Sequence, residues 1–204
     1  AQKTGSFNDE IIAVDVTDRK KNTITINIDE EPGRVNFDKM DKLRPAFEED
    51  GTVTAGNASK INDGSAGLLL MSETKVTELG FTPMVRIYSQ ASAAQEPEWF
   101  TTAPIKAINK VLEKAGMGVA DIDLWEINEA FAPVAMAVMD DFNLDHSIVN
   151  VKGGAIALGH PIGASGARTL TTLIHALKSQ DVTTGLVTLC IGGGEASAMI
   201  VERI

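Results

Sequence analysis

The sequence is poor in cysteine, aromatic residues and positive charge, and it lacks a long apolar run. Its single cysteine, Cys190, cannot form an intrachain disulfide, so we expect a reducing compartment and predict a cytoplasmic protein. Lysine and arginine together number 18 against 28 aspartates and glutamates, and the resulting net charge of −10 argues against nucleic-acid partners and anionic membrane surfaces. No stretch is long and apolar enough to predict a membrane span.

The residues that are present have the composition of an ordinary globular protein. Hydrophobic residues make up 44% and charged residues 23% of the 204 positions, enough to bury a core in one large domain with or without a smaller attachment. The first residues include neither an initiator methionine nor the pattern of a signal peptide. We therefore expect the chain to begin inside a longer protein.

Apolar runs typical of strands alternate along the chain with apolar residues at helical spacing. This alternation predicts a layered α/β protein with a mixed sheet. The predicted strands cover residues 11–16, 23–28, 64–71, 84–94, 121–127, 185–191 and 196–201. The predicted helices cover residues 73–79, 103–115 and 129–142 and the apolar stretch after residue 166, with a helix start within residues 37–47. A small polar loop at residues 51–59 suggests a boundary between domains 1–60 and 61–204.

A glycine-rich stretch around His160 is the most unusual part of the sequence. Five glycines fall between Gly153 and Gly166, a density that is costly in backbone entropy and hard to justify by packing alone. One interpretation is a loop that lets the backbone approach a ligand and places His160 as a proton carrier. The other is a tight turn between a strand and a helix with an incidental histidine. This stretch alone favours neither.

Three polar residues, Asn128, His160 and Cys190, each lie near the carboxyl end of a predicted strand or in the loop beyond it. Open α/β sheets build their sites there. Each has a plain structural alternative, because a cysteine after a strand is usually a small buried side chain and an asparagine before a helix is usually its cap. Their joint recurrence beside glycine-rich turns favours thiol and acid–base chemistry, whereas we interpret His146 and His175 as structural.

Two further patterns leave function open. The glycines that follow Cys190 permit a sharp turn whose N–H groups, including that of Gly192, could face a developing oxyanion. Basic residues also recur in an otherwise acidic chain, either as a solvated face or as a site for a phosphorylated ligand. They are Arg34, Lys39, Lys42 and Arg44.

At this point the motifs resemble a known family. Residues 128–132 (NEAFA), 153–163 (GGAIALGHPIG) and 190–194 (CIGGG) closely resemble the three C-terminal signatures of thiolases, most closely the acetyl-CoA acetyltransferase branch. Residues 43–47 (LRPAF) and 54–59 (TAGNAS) fit the family in the same order. The resemblance implies a thiolase-like layered fold, with a C-terminal mixed-sheet domain, flanking helices and part of an inserted loop domain that binds coenzyme A.

The resemblance also implies a role for each motif residue. His160 would activate a nucleophilic cysteine and bind the thioester oxygen, while Asn128 would hold a water in the same oxyanion site. Cys190 would exchange the α-proton of the acetyl group as a thiolate whose pKa is tuned by His160 and the glycine amides. The N–H of Gly192 would complete a second oxyanion site. The implied coenzyme A contacts are Ser59, Arg34, Phe47, Ala55 and Phe131.

One departure from the family changes the expectation for this chain. The family's nucleophilic cysteine lies in the N-terminal half, whereas Cys190 matches the second, acid–base cysteine. The resemblance thus implies the C-terminal half of a homo-oligomeric enzyme that condenses two acetyl-CoA to acetoacetyl-CoA or catalyses the reverse thiolysis. Coenzyme A and acetyl-CoA would be its substrates, with no tightly bound cofactor and no metal.

We therefore expect the chain to be inactive alone and to act with the missing N-terminal half. The alternative is a non-catalytic module that binds coenzyme A or acyl-CoA. A ketoacyl-synthase type of condensing enzyme is a third possibility, and the CIGGG ending at residues 190–194 argues against it.

Overall fold

The computed structural model describes all 204 residues, which form six β-strands, five α-helices and several short 3-10 segments. The strands are β1 (Val14–Thr17), β2 (Thr23–Ile26), β3 (Val85–Ala94), β4 (Leu124–Ile127), β5 (Thr184–Ile191) and β6 (Glu195–Arg203). The helices are α1 (Glu73–Leu79), α2 (Ala103–Ala115), α3 (Ala132–Phe142), α4 (Ala155–Leu158) and α5 (Ser165–Gln180). No helix is both long enough and apolar enough to span a bilayer.

A four-stranded mixed sheet, in the order β3-β6-β5-β4, forms the centre of the larger part of the molecule. β6 runs antiparallel to both β3 and β5, and β4 pairs parallel with β5. The predicted mixed sheet is therefore confirmed. The parallel pairing of β4 with β5 brings the loops that follow these two strands to one end of the sheet.

The helices cover both faces of this sheet. Trp125 and Ile127 of β4 belong to a core cluster that contains α2 and α3, whereas Leu124 packs with Leu173 and Leu177 of α5 on the other face. This division follows from strand geometry, because successive side chains point to opposite faces. The result is a three-layer arrangement in which the site-bearing loops lie at the edge of a rigid sheet.

Helix α3 begins at Ala132, three residues later than the sequence predicts. Phe131 is extended and forms an isolated antiparallel bridge with Ala58, so the segment before the helix pairs with a distant loop. Pro133 in the first turn is compatible with a helix start, because its missing N–H has no helical partner at that position. Helix α2 ends at Gly116 and α1 at Gly80 as predicted, each glycine being left-handed.

The N-terminal part contains a β1–β2 hairpin whose strands pair from Val14 with Ile26 to Thr17 with Thr23. All eight strand residues are exposed, so neither face of the hairpin packs against the rest of the chain. The predicted helix start near residue 37 is a 3-10 segment, Phe37–Lys42. The division into domains 1–60 and 61–204 stays a prediction.

The buried strand predicted for residues 64–71 is wrong for this structure. The segment is extended but pairs with no strand, and Leu69 and Leu70 are 82% and 63% exposed. The physical reason is that a strand needs both a hydrogen-bonding neighbour and a facing layer, and this chain provides neither at that place. The apolar pattern here thus describes a surface that the chain itself leaves uncovered.

Candidate active site

Asn128 and His160 meet at the carboxyl end of the sheet. Asn128 directly follows β4, is fully buried, and is held by a backbone hydrogen bond from its N–H to the carbonyl of Thr188 on β5 (3.0 Å). Its side-chain Nδ2 lies 3.4 Å from His160 Nε2. The structure thus brings these two predicted site residues together, and their roles stay predictions.

The backbone of His160 is fixed by a second distant segment. Its N–H donates to the carbonyl of Lys60 (2.7 Å), and an isolated parallel bridge joins His160 with Ile61. The preceding Gly159 has a φ of +91°, and a Cβ there would lie 2.3 Å from Asn62 Oδ1. The glycine at this position is required because the loop approaches a neighbouring side chain with a left-handed backbone.

Hydrogen bonding determines which tautomer His160 adopts. Its Nδ1 lies 2.5 Å from Ser165 Oγ, and that hydroxyl donates its own proton to the carbonyl of Pro161 (3.0 Å). Ser165 can therefore only accept from the ring, so Nδ1 carries the hydrogen. In the neutral imidazole Nε2 then carries the lone pair, and Asn128 Nδ2 lies within reach to donate to it.

The electrostatic surroundings favour the neutral form of this imidazole. Burial, and secondarily the positive charge of Arg168, lower the pKa of His160 below its ordinary value. A neutral ring with a free Nε2 lone pair is equipped to accept a proton or a hydrogen bond. The same group, once protonated, could return that proton.

Cys190 lies at the same end of the sheet but in a different environment. It is near the end of β5, two residues beyond Thr188, and packs in the apolar cluster that includes Ala196 on the neighbouring strand. Burial raises the pKa of the Cys190 thiol above its ordinary value. Burial is the dominant cause of this shift, and the tuning of the thiol by His160 and the glycine amides, which the resemblance implies, stays a prediction.

The turn after Cys190 contains Gly192. It lies outside the paired strands, its N–H donates to no other backbone group, and a Cβ there would meet nothing within 4 Å. The turn is shaped at Gly194 instead, where φ is +89° and a Cβ would lie 2.4 Å from the carbonyl oxygen of Gln95. An accessible amide on a rigid turn is consistent with the predicted oxyanion role, which stays a prediction.

Four of the five predicted coenzyme A contacts lie near one another. Ser59 donates through both its N–H (3.1 Å) and its hydroxyl (2.8 Å) to the carbonyl of Ala130, next to Phe131. The ring of Phe131 packs edge-on against Phe47, at a centroid distance of 6.1 Å. Ala55 is exposed in the same loop as Ser59, in the turn that Asn57 closes by accepting the N–H of Thr54 (2.7 Å).

Arg34 differs from these four because its guanidinium already has partners. It pairs with Glu30 and Glu31, each at 2.6 Å, while the other oxygen of Glu31 binds Lys60 at 2.6 Å. A phosphate at Arg34 would compete with two carboxylates. All five coenzyme A contacts stay predictions.

The sequence does not indicate which residues hold the His160 ring and the two site loops in place. Ser165 fixes the His160 ring, and Glu129 with Asn150 joins the loop after β4 to the glycine-rich loop. Ser165 and Glu129 fall within or beside the quoted motifs, which is the only sequence signal for them. Asn150 has a left-handed φ of 46°, a conformation for which asparagine is one of the favoured residues.

A buried carboxyl group and its partly exposed arginine partner lie on the opposite face of β4 from Trp125. Glu126 is almost fully buried and accepts a hydrogen bond from Arg168 Nη1 (3.1 Å). Burial raises the pKa of Glu126 to about 8, although Arg168 opposes that shift. Arg168 therefore links the charge state of this pocket to that of His160.

Comparisons with known proteins agree with this geometry. The family model described as "Thiolase, C-terminal domain" matches residues 81–203, and that described as "Thiolase, N-terminal domain" matches residues 1–74.

The chain belongs to the thiolase family.

Curated relatives of this thiolase chain include the acetyl-CoA acetyltransferases of Allochromatium vinosum (53% identical over 205 residues) and Escherichia coli (51% over 205 residues). In both cases the match covers 100% of this chain and 52% of the relative. The chain thus spans about half the length of the curated relatives it matches.

Solved structures give the same result for the fold. The acetyl-CoA acetyltransferase of Bacillus anthracis superposes with a TM-score of 0.95 at 43% identity, covering 99% of this chain and 51% of that one. Human mitochondrial 3-ketoacyl-CoA thiolase in complex with CoA superposes with a TM-score of 0.88 at 38% identity, covering 99% and 50%. The predicted thiolase-like layered α/β fold is confirmed.

Proposed function

We propose that this thiolase chain supplies the acid–base residues and part of the coenzyme A site of an acetyl-CoA C-acetyltransferase. The reaction would condense two acetyl-CoA to acetoacetyl-CoA and free coenzyme A, or run in reverse as thiolysis. The observation that carries the proposal is the contact between Asn128 and His160, whose Nδ1 is held by Ser165 so that Nε2 carries the lone pair of the neutral ring. The family membership and the named relatives support the choice of reaction.

In this proposal His160 Nε2 takes the proton of a nucleophilic thiol, and its N–H then stabilises the thioester oxygen together with a water held by Asn128. In thiolysis the thiolate adds to the keto carbon of acetoacetyl-CoA and the carbon–carbon bond breaks. The departing acetyl-CoA enolate takes a proton from Cys190. The Cys190 thiolate then takes the proton of the coenzyme A thiol, and the resulting coenzyme A thiolate attacks the acetyl thioester. The nucleophilic thiolate leaves as acetyl-CoA forms and takes its proton back from His160.

The acyl-accepting thiol in this scheme lies outside the chain. Cys190 is its single cysteine, and we assign it the proton exchange at the α-carbon. The raised pKa of its thiol suits the protonated state that thiolysis requires at the start. We propose that the segment corresponding to the unmatched half of the relatives provides the nucleophile and that the assembled enzyme is a homo-oligomer.

The test is acetoacetyl-CoA thiolysis by the purified protein together with every polypeptide that accompanies it, identified by intact mass under denaturing conditions. We expect the variant His160→Asn to lose about 10²–10⁴-fold in kcat, the range typical of a general acid–base group. His146→Asn, on an exposed 3-10 turn, is the matched control and should retain activity. Full activity of His160→Asn would refute the proposal.

A non-catalytic module that binds coenzyme A is the second candidate. The observation that favours it is the cluster of Ser59, Ala55, Phe47 and Phe131, which is assembled in this chain without the nucleophile. Calorimetric titration of the chain with coenzyme A, alongside the thiolysis assay, separates the two. Binding without turnover in the presence of a thiol-bearing companion half would favour the module.

A further inference from the structure

The carboxylate of Glu129 joins the two loops that carry Asn128 and His160. Its Oε1 accepts a hydrogen bond from Asn150 Nδ2 (3.1 Å), and its Oε2 accepts one from the N–H of Ile156 (3.2 Å). Glu129 directly follows Asn128 in the chain. Ile156 lies in the first turn of α4, the short helix that leads into Gly159 and His160.

Asn150 is itself held in one orientation. Its Oδ1 accepts the N–H of Ile127 (2.7 Å) and its Nδ2 donates to the carbonyl of the same residue (2.9 Å). The residue is 9% exposed, so few waters compete for these partners. The remaining N–H of its amide is therefore fixed toward Glu129.

The glycine-rich loop is shaped around this carboxylate. A Cβ on Gly154 would lie 2.3 Å from Glu129 Cδ and 2.4 Å and 2.6 Å from its two oxygens, separations that real Cβ atoms do not show. Gly154 thus lets the backbone close over the carboxylate. The need for glycine at this position comes from Glu129 and not from a left-handed turn.

We propose that Glu129 is a positioning residue that sets the separation of Asn128 and His160 by fixing the loops on which they lie. The inference rests on the proposed function of that pair. The Asn128–His160 distance of 3.4 Å is at the long limit of a hydrogen bond, so a small shift of either loop breaks the contact. A substitution at Glu129 therefore acts on the site through geometry, without touching substrate.

The isosteric substitution Glu129→Gln tests the role closely. Asn150 Nδ2 and the Ile156 N–H are both donors, and a carboxylate accepts from both whereas a glutamine amide offers one acceptor and one donor group. One of the two contacts must be lost. We expect hydrogen exchange at the Ile156 or the Asn150 amide group to accelerate at least tenfold.

The decisive readout is the titration of His160 in the full chain, followed by NMR with carbon-13-labelled histidine. The chain has three histidines, so the signal of His160 is assigned by its loss in His160→Asn. We expect the pKa of His160 to rise toward its ordinary value in Glu129→Gln, because a loosened loop hydrates the ring. The loss of a nearby negative charge, by itself, would instead lower the pKa of His160.

Asp123→Asn is the matched control. Asp123 Oδ2 also accepts two backbone N–H groups, from Thr183 (3.0 Å) and Thr184 (2.8 Å), but at the opposite end of β5. We expect this variant to lose comparable stability and to leave the His160 titration unchanged. A shift of the same size in the pKa of His160 in both variants would overturn the proposal. So would an unchanged pKa of His160 in Glu129→Gln.

Gly154→Ala tests the same role from the other side if Glu129→Gln folds poorly. The added methyl displaces the Glu129 carboxylate while leaving its charge in place, and the same rise in the pKa of His160 is expected. In the assembled enzyme, kcat should fall with little change in the KM for coenzyme A. The NMR readouts need no turnover, so a failed activity assay would count against the proposed function and leave the positioning role standing.

Discussion

The proton on His160 Nδ1 depends on Ser165, a residue five positions further along the chain. In Ser165→Ala this N–H loses its acceptor, so the ring is free to adopt the other tautomer and to rotate away from Asn128. We expect a fall in kcat of about 10²-fold, at the low end of a general base's contribution. Nitrogen-15 NMR should show the Nδ1–H tautomer in the parent chain and a mixture in the variant.

The control for this prediction is Thr171→Ala. Thr171 Oγ1 donates to the carbonyl of Ala167 on the same helix (2.8 Å), which is the same kind of hydroxyl-to-backbone bond but away from the histidine. Its tautomer signal and its kcat should match those of the parent chain. An Nδ1–H tautomer that survives unchanged in Ser165→Ala contradicts the assignment.

The raised pKa of Glu126 predicts that the free energy of unfolding depends on pH. Its pKa is raised from 4.5 to about 8 in the folded chain, so the folded state binds the extra proton between these values. The contribution of Glu126 protonation to the stability of the folded state is complete below pH 4.5 and is lost as the pH rises through 8. The lowered pKa values of His160 and His175 act in the opposite direction and only below about pH 6.5.

Urea denaturation at several pH values from 6.5 to 8.5 isolates this effect. We expect the free energy of unfolding of the parent chain to decrease over that range and that of Glu126→Gln to change much less, because glutamine keeps an acceptor for Arg168 without titrating. Glu48→Gln, at an exposed position, should behave like the parent. Parallel curves for the parent and Glu126→Gln would show that Glu126 is ionised throughout.

For single residues, the sequence indicates only what depends on their neighbours along the chain. Asn128, His160 and Cys190 could be found because each follows a recognisable apolar strand and lies beside glycines. The raised pKa of Cys190 could not be predicted, because the burial that causes it comes from a core cluster whose members are spread along the chain. Ser165 and Glu129 were missed for a similar reason, since a serine or a glutamate in a motif does not indicate its partner.

At the scale of elements, the β5–β6 hairpin offers a matched pair of glycine substitutions. In Gly194→Ala the new Cβ meets the Gln95 carbonyl oxygen at a position where φ is already +89°, so we expect a loss of about 1–3 kcal/mol in the free energy of unfolding. Gly192→Ala adds a Cβ that meets nothing within 4 Å. We expect its stability to stay within about 0.5 kcal/mol of the parent.

Thermal or urea denaturation of the two variants measures this difference directly. Equal stability would mean that the turn relaxes away from Gln95. Gly194 also bonds to Gln95 through its carbonyl, which accepts the Gln95 N–H (3.0 Å), so a relaxed turn would separate the two loops. Hydrogen exchange at Gln95 would detect that separation.

Most elements could be predicted because their own periodicity encodes them. Helix α2 buries residues at helical spacing on one face and ends at a left-handed Gly116, both of which are visible in the sequence. Periodicity predicts neither where α3 starts nor that residues 64–71 form no strand. The start of α3 depends on the pairing of Phe131 with Ala58, and residues 64–71 find no pairing strand within this chain.

At the scale of the molecule, many apolar side chains remain exposed, and two segments that carry several of them stand apart from the sheet. One is the β1–β2 hairpin, where Val14 and Ile24 are each 56% exposed, and the other includes Leu69 at 82%. A two-stranded hairpin with both faces in water is marginally stable by itself. Exposed apolar surface of this extent is typical of contact regions between polypeptides.

We therefore predict that the chain alone associates in a concentration-dependent way and that the companion half suppresses this association. Sedimentation velocity over a range of concentrations measures it. Leu69→Lys should reduce self-association if residues 64–71 form the contact, whereas Ile24→Lys should do so if the hairpin does. The hairpin is separate from the sheet. If Ile24→Lys still reduces self-association when the companion half is bound, the hairpin contact lies between whole enzyme subunits. A chain that stays monomeric at all concentrations would contradict the prediction.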